Sequence, residues 1–431
     1  MTRIRLSVAA FLLIATVGLG QTPGRTLIRA GHLLDVHNGK IRDAQTIVVT
    51  GDKITAIAPT ASTPAAASDT VIDLGSLTVL PGLIDVHTHL TMNTDFDPYH
   101  EVTSTDAKEA INGVVNAKAT LMAGFTSVRN VGAGGYTDVD LRDAINSGQI
   151  PGPHMQVSGP PLGITGGHCD DNLLPFHYHS VADGVADGIA AVQQKVRQNI
   201  KYGVDVIKVC ATGGVLSKGD SLQASQYTLE ELKAIVAEAH RLGLKVAAHA
   251  HGAQGILWSS EAGIDSIEHG SYIDDNAIAE MKKNGTYLVP TLYLEDWMME
   301  NGHLPVFYQQ KMKDAISVAK PNIRHAFQSG VKIALGTDAA VYPHGLNAHE
   351  VEVYVRDLGM TPLQAIQSAT INAADLMNWT DETGSLEPRK WADIIAVDGN
   401  PLSDVKLLQN VKFVMKCGVV YKRSIRLDEP N

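Results

Sequence analysis

With 431 residues, 44% of them hydrophobic, 19% charged and no long low-complexity tract, the chain can bury a large core and is not a predominantly disordered protein. Its formal net charge of −11, with no basic run beyond the first residues, argues against nucleic acid and anionic membrane surfaces as partners. Three cysteines, Cys169, Cys210 and Cys417, are too few and too far apart for a disulfide framework or a cysteine-based zinc site and read as free thiols. Cys210 and Cys417 fit small buried hydrophobes, while Cys169, in a Gly-rich loop, is balanced between packing and lining a pocket.

At the amino terminus Arg3 and Arg5 precede an apolar run over residues 6–19, and Gly18-Leu19-Gly20 offers small residues for cleavage. Residues 1–20 therefore read as a signal peptide and the mature protein as exported, since the run is short for a membrane span of about 20 residues. No cysteine stands near the cleavage point, which argues against a lipid anchor.

Residues 26–34, 46–50 and 53–58 are β-rich runs separated by Asn38-Gly39 and Gly51-Asp52. The same texture returns at residues 392–397, 411–415 and 419–421. The two ends are expected to form one composite β-sandwich, its first part over residues 21–80 and its second over 384–431.

Between them, residues 81–383 alternate short apolar runs with helical patterns, the signature of βα units and a parallel sheet. Eight runs are expected as strands: 80–87, 125–131, 154–159, 204–210, 245–249, 266–269, 287–290 and 332–337. Helices are expected over 106–122, 181–202, 228–242 and 321–329. Gly124, Gly243, Gly263, Gly285 and Gly330 each stand just before a run, where a left-handed helix cap is needed. Eight strands, and 251 residues between His87 and Asp338, match a (β/α)8 TIM barrel of roughly 250 residues. An open doubly wound sheet is the competitor, but no Gly-x-Gly-x-x-Gly follows a first strand.

In such a barrel the chemistry sits at the carboxyl ends of the strands. The polar residues that interrupt or end the runs are His87 and His89 on the first, Lys208 on the fourth, His249 on the fifth, His269 on the sixth and Asp338 on the eighth. Unpartnered buried charges and imidazoles are costly, so these six read as one site. His87 and His89 in Pro81-Gly82-Leu83-Ile84-Asp85-Val86-His87-Thr88-His89 are one residue apart on a strand, so both can reach one metal ion. Lys208 alone would read as a buried lysine paired with a carboxylate. Desolvation lowers its pKa, however, and a neutral amine can add carbon dioxide to become a carbamate suited to bridging two ions. His249 and His269, on successive strands, can hold a second ion, and Asp338 can both touch metal and take a proton from activated water. A two-metal site lowers the pKa of water from about 15.7 to about 7 and polarises a carbonyl, so hydrolysis is the expected chemistry.

Other residues are weaker candidates. His168, in the loop after the third run, either hydrogen-bonds substrate or is satisfied by Asp170 or Asp171. His251 either lines the pocket or replaces His249 as ligand; His249 is preferred because it directly ends an apolar run. His344 is balanced between substrate contact and an ordinary loop position. Glu268 is expected to point away from His269 into a structural ion pair. His177, Tyr178 and His179 read as exposed, and Trp297, Met298 and Met299 as helix packing ahead of pocket lining.

The strand-end residues, together with Gly336-Thr337-Asp338, Ala369-Thr370-Ile371-Asn372-Ala373-Ala374, Gly384-Ser385-Leu386 and Lys390-Trp391-Ala392-Asp393, resemble the amidohydrolase superfamily in its binuclear form with a carboxylated lysine. Gly166-Gly167-His168, Thr212-Gly213-Gly214-Val215 and His249-Ala250-His251-Gly252 resemble its imidazolonepropionase-like branch, which includes Xaa-Pro and Xaa-Arg dipeptidases and ochratoxin-hydrolysing amidohydrolases. The resemblance implies that His87, His89 and Asp338 bind one ion and His249 and His269 the other, with carboxylated Lys208 bridging two zinc ions. It implies an amide hydrolase acting on N-acyl amino acids or dipeptides, including ochratoxin-like amides, with Asp338 as general base and then acid, and a homo-oligomeric assembly. A cyclic amide or lactone hydrolase is the nearest alternative, and a catalytically silent metal-binding barrel the non-enzyme one.

Overall fold

The computed structural model describes residues 24–93, 103–301 and 304–424, so the expected signal peptide lies outside the described residues. Both ends of the chain contribute to one eight-stranded sheet. Its strands are β1 (Arg25–Leu34), β2 (Ile41–Thr50), β3 (Lys53–Pro59), β4 (Thr70–Asp73) and β5 (Thr78–Pro81) from the first part. From the last part come β13 (Ile394–Val397), β14 (Phe413–Lys416) and β15 (Val419–Arg423). The order is β15-β14-β13-β5-β1-β2-β3, with β4 on β1, and the join between the ends is the antiparallel pairing of Leu80 with Ile395. Ile28, Ile47, Ile54, Val79, Ile394 and Phe413, all fully buried, form the apolar face of this sheet.

The middle of the chain supplies parallel strands β6 (Leu83–Thr88), β7 (Phe125–Asn130) and β8 (His154–Val157) in one sheet. A second contains β9 (Val206–Cys210), β10 (Lys245–Ala250), β11 (Ser266–His269) and β12 (Tyr287–Val289). Bridges join the two sheets at both edges. Leu162, just after β8, pairs with Val209, and the segment after β12 pairs through Ile333 with Leu288 and through Ala339 with Thr88.

Seven of the eight expected runs are strands, and the eighth is not a regular one. Val86 donates to the Leu335 carbonyl and Asp338 to the His87 carbonyl, so the 332–337 segment does lie against β6. It is too close and too bent for a ladder. A Cβ at Gly336 would stand 2.7 Å from that of His87, and Asp338 and Ala340 both have positive φ.

Helix Asp106–Met122 starts on the Thr105 side chain, and Leu229–Arg241 starts with a Thr228/Glu231 capping box. The five glycines expected as caps all have φ between +72° and +99°, which side chains disfavour. Two helices differ from expectation. The second begins at Ile189 rather than 181, and the last runs from Val306 to Gln328 straight through Pro321. Proline is a common first helical residue, which is why the sequence reads as a start there, but packing of Met312, Ala319 and Ile323 carries the helix through it.

Candidate metal centre

Register decides which side chains share a face. Lys208 pairs with Ala247, Cys210 with His249, and His249 with Glu268, and directly opposed residues point to one side. Lys208, His249 and Glu268 therefore all face the strand-lined interior. His269 reaches the same region because its φ of +72° breaks the alternation. This corrects the expected direction of Glu268, which points inward, while the structural ion pair expected of it is present, with Arg129 at 2.9 Å.

Two clusters result. In the first, His87 Nε2 and His89 Nε2 stand 3.4 and 3.3 Å from Asp338 Oδ1. In the second, one ring nitrogen each of His249, His251 and His269 lie within 4.8 Å of one another. Every imidazole has one nitrogen committed to the protein. His87 Nδ1 meets Glu268 Oε2 at 2.8 Å and His89 Nδ1 meets the Gly132 carbonyl at 3.1 Å. His249 Nε2 faces the Gly213 carbonyl at 3.3 Å, His251 Nδ1 meets Ser271 Oγ at 2.8 Å, and His269 Nδ1 meets Thr291 Oγ1 at 2.7 Å. The other nitrogen of His87 and of His89 is turned toward Asp338 within the first cluster, and a ring fixed through one nitrogen with the other facing its fellow candidate ligands is how histidines are oriented for metal.

The electrostatics agree. Burial, reinforced by neighbouring imidazoles, pushes His249 and His269 well below the usual histidine range and His251 to about 3, so all three are neutral and no proton competes with a metal for their ring nitrogens. Burial alone would raise the Asp338 carboxyl, but His87 and His89 hold it well below the usual carboxylate range. Burial lowers Lys208 to about 8, against the pull of Glu268 and Asp338. Neutral imidazoles, a firmly anionic carboxylate and a lysine that gives up its proton easily fit a pair of divalent cations.

His87, His89, Lys208, His249, His251, His269 and Asp338 line a cavity of about 730 Å³ that His168 also faces. The His168 ring stacks on His249 with centroids 4.1 Å apart, and its Nδ1 contacts Ser217 Oγ at 2.9 Å rather than Asp170 or Asp171. His344, balanced in sequence between substrate contact and an ordinary loop position, is not among the residues lining this cavity, and its Nε2 meets the Met92 carbonyl at 3.3 Å. Tyr178 and its neighbouring histidines are exposed, and Met298 is buried in helix packing away from the cavity.

Three features were not legible as parts of the site. Cys169 and Cys210 form a disulfide with Cα atoms 6.0 Å apart, correcting their reading as free thiols. It pins the His168 loop to the Lys208 strand, a contact that a sequence separation of 41 conceals. Arg129, fully buried, donates to the Val86 carbonyl at 2.6 Å and to Glu268 Oε1 at 2.9 Å. A lone arginine inside the apolar 125–131 run, matched by Glu268 inside another, was the available signal. Asp85 accepts from the Thr337 backbone and hydroxyl and from Asn347, so it fixes the turn that carries Asp338.

An α/β scaffold that presents histidines at the ends of parallel strands, and an aspartate on the turn after the eighth run, defines a class of hydrolases. Sequence and structure comparisons place the chain within it. An amidohydrolase family profile matches residues 78–421. Ochratoxinase from Aspergillus niger is 35% identical over 426 residues, covering 92% of this chain and 86% of the relative. Imidazolonepropionase from Cutibacterium acnes is 26% identical, covering 91% and 93%. A crystal structure of a Xaa-Pro dipeptidase with bound methionine superposes with a TM-score of 0.87 at 39% identity, covering 93% of this chain and all of that one. The chain belongs to the amidohydrolase family, with the TIM-barrel type of α/β fold, and is a hydrolase acting on amide bonds. Among the described residues no helix is long and apolar enough to cross a membrane.

Proposed function

We propose that the chain is an exported, binuclear metal-dependent amidohydrolase that releases the carboxy-terminal amino acid from N-acyl amino acids or dipeptides, including ochratoxin-like amides. The observation that carries the reading is the pair of clusters on one cavity wall, with buried Lys208 on that wall. The likeness to an ochratoxinase and to a Xaa-Pro dipeptidase supports the substrate class. In this reading residues 81–383 form a (β/α)8 barrel, residues 21–80 and 384–431 a composite β domain, and the assembly is a homo-oligomer.

His87, His89 and Asp338 would hold one ion and His249 and His269 the other. Lys208 would bridge them once its neutral amine has added carbon dioxide and lost a proton to give a carbamate. When bound, zinc ions supply Lewis acidity that lowers the pKa of water to about 7 and polarises the amide carbonyl. Asp338, anionic and beside both histidines, accepts the proton of the attacking water and delivers it to the leaving amine. His168 and His251 face the cavity and offer hydrogen bonds to the substrate carbonyl or carboxylate. The disulfide keeps the His168 ring against His249.

Chelator treatment should abolish hydrolysis of an N-acyl amino acid panel, and zinc with bicarbonate should restore it. Asp338→Asn should fold and lose at least about 100-fold in kcat, the ordinary scale of a general acid–base group. Full activity in metal-free protein, or in Asp338→Asn, would overturn the proposal.

A further inference from the structure

Away from the cavity, His154 at the start of β8, Asp393 just before β13 and Cys417 in the turn between β14 and β15 bring one potential ligand atom each to within 4.8 Å of one another. None of the three lines the cavity described above. We propose that they form a separate structural binding site for a zinc-class divalent cation, with thiolate, imidazole and carboxylate as ligands and water at the fourth corner.

The distances fit. With Zn–N and Zn–O near 2.0–2.1 Å and Zn–S near 2.3 Å, the edges of a tetrahedron are about 3.3 Å between nitrogen and oxygen and about 3.5 Å between nitrogen and sulfur. His154 Nε2 stands 3.3 Å from Asp393 Oδ2 and 3.5 Å from Cys417 Sγ. Asp393 is only 2% exposed, and its Oδ2 is buried without a hydrogen-bond partner. The contact with His154 thus has the separation of an ion pair but not the direction of a hydrogen bond. A buried carboxylate oxygen in that condition is costly unless a cation satisfies it.

The nearby lysines are engaged elsewhere. Lys416 donates to the Gly152 carbonyl at 2.7 Å and Lys53 to Glu382 at 2.6 Å. The other Asp393 oxygen accepts from the Cys417 backbone amide at 2.9 Å, which fixes the carboxylate toward the thiol. The His154 ring is held flat against Trp391, with centroids 4.0 Å apart and planes 15° apart. A thiolate with an imidazole is the donor pair that selects zinc-like ions over magnesium or calcium. Such a cation would tie the first parallel sheet to two segments of the mixed sheet.

Cobalt-substituted full-length protein tests this. Cys169 and Cys210 are joined to each other, so thiolate-to-cobalt charge-transfer absorption in the near ultraviolet can come only from Cys417. Wild type should show that absorption. Cys417→Ser and His154→Gln should lose it together with one metal equivalent per chain, while Cys417→Ser keeps its hydrolytic turnover. Zinc should also slow alkylation of the wild-type thiol, a readout that needs no variant. Absence of the absorption in wild type, its survival in Cys417→Ser, or alkylation indifferent to zinc would reduce the cluster to a histidine–aspartate ion pair beside a free thiol.

Discussion

Glu268→Gln is the sharpest perturbation of the centre that leaves every candidate ligand in place. The Glu268 carboxylate is fully buried and accepts from His87 Nδ1 at 2.8 Å, Arg129 Nη2 at 2.9 Å and Ser266 Oγ at 2.6 Å. Burial alone would raise its pKa, but Arg129 and His87 hold it down to about 2, so it is ionised at neutral pH. A glutamine has one acceptor oxygen. If that oxygen faces Arg129, the amide NH₂ faces His87 Nδ1, and the imidazole must carry its proton on Nε2, the nitrogen turned toward Asp338. Two separable losses follow. Stability should fall by about 3–5 kcal/mol, because Arg129 keeps a buried charge without its partner. Metal affinity should fall about 10–100-fold, the usual effect of removing a group that orients a ligating histidine. Urea unfolding of the metal-free protein reads the first, and zinc titration against a competing chelator reads the second. Adding Arg129→Met should restore much of the stability and none of the metal affinity. Wild-type affinity in Glu268→Gln, or joint recovery of both quantities in the double variant, would refute the argument.

Two further outcomes follow from burial and connectivity. Burial pushes Glu350, which accepts from the Leu292 and Tyr293 amides, up to about 8, and Glu295 likewise. Both are protonated in the fold and ionised in the unfolded chain between the ordinary glutamate range and pH 8, so unfolding releases protons. Stability from this pair is full in acid and is lost as pH rises through about 8, and Glu350→Gln should flatten the decline of Tm between pH 6 and pH 9. Reduction of Cys169–Cys210 opens a loop with a sequence separation of 41, worth about 4 kcal/mol by loop entropy, and frees His168 from its stack on His249. Steady-state assays with and without a reductant, alongside Cys169→Ser, should show a raised KM; an unchanged KM would dismiss the clamp.

Much of the site was legible because its residues are chemically conspicuous where they stand. His87, Lys208, His249 and Asp338 interrupt apolar runs, and a charge or imidazole in such a place needs a reason. The capping glycines mark strand starts because positive φ is a local demand. What stayed hidden depends on register or on contact across the chain. Glu268 faces inward because it sits opposite His249, which neighbouring residues in sequence do not reveal. The eighth run looks like a strand in composition, but Gly336 pressed against His87 and the turn at Asp338 prevent a ladder. Pro321 reads as a helix start when only local preference is weighed, and Cys169 finds Cys210 only once a loop folds over a strand.

The pairing of Leu80 with Ile395 also sets an order of assembly. A contact spanning more than three hundred residues carries a large loop-closure cost, so strands of this kind pair late and slowly. Until β13 has been synthesised, β5 has an open edge on that side, and the growing chain carries an unpaired template for association with other chains. Deleting the last three strands should therefore yield aggregates rather than a smaller soluble hydrolase, because the strand that leads into His87 and His89 would have lost its neighbour.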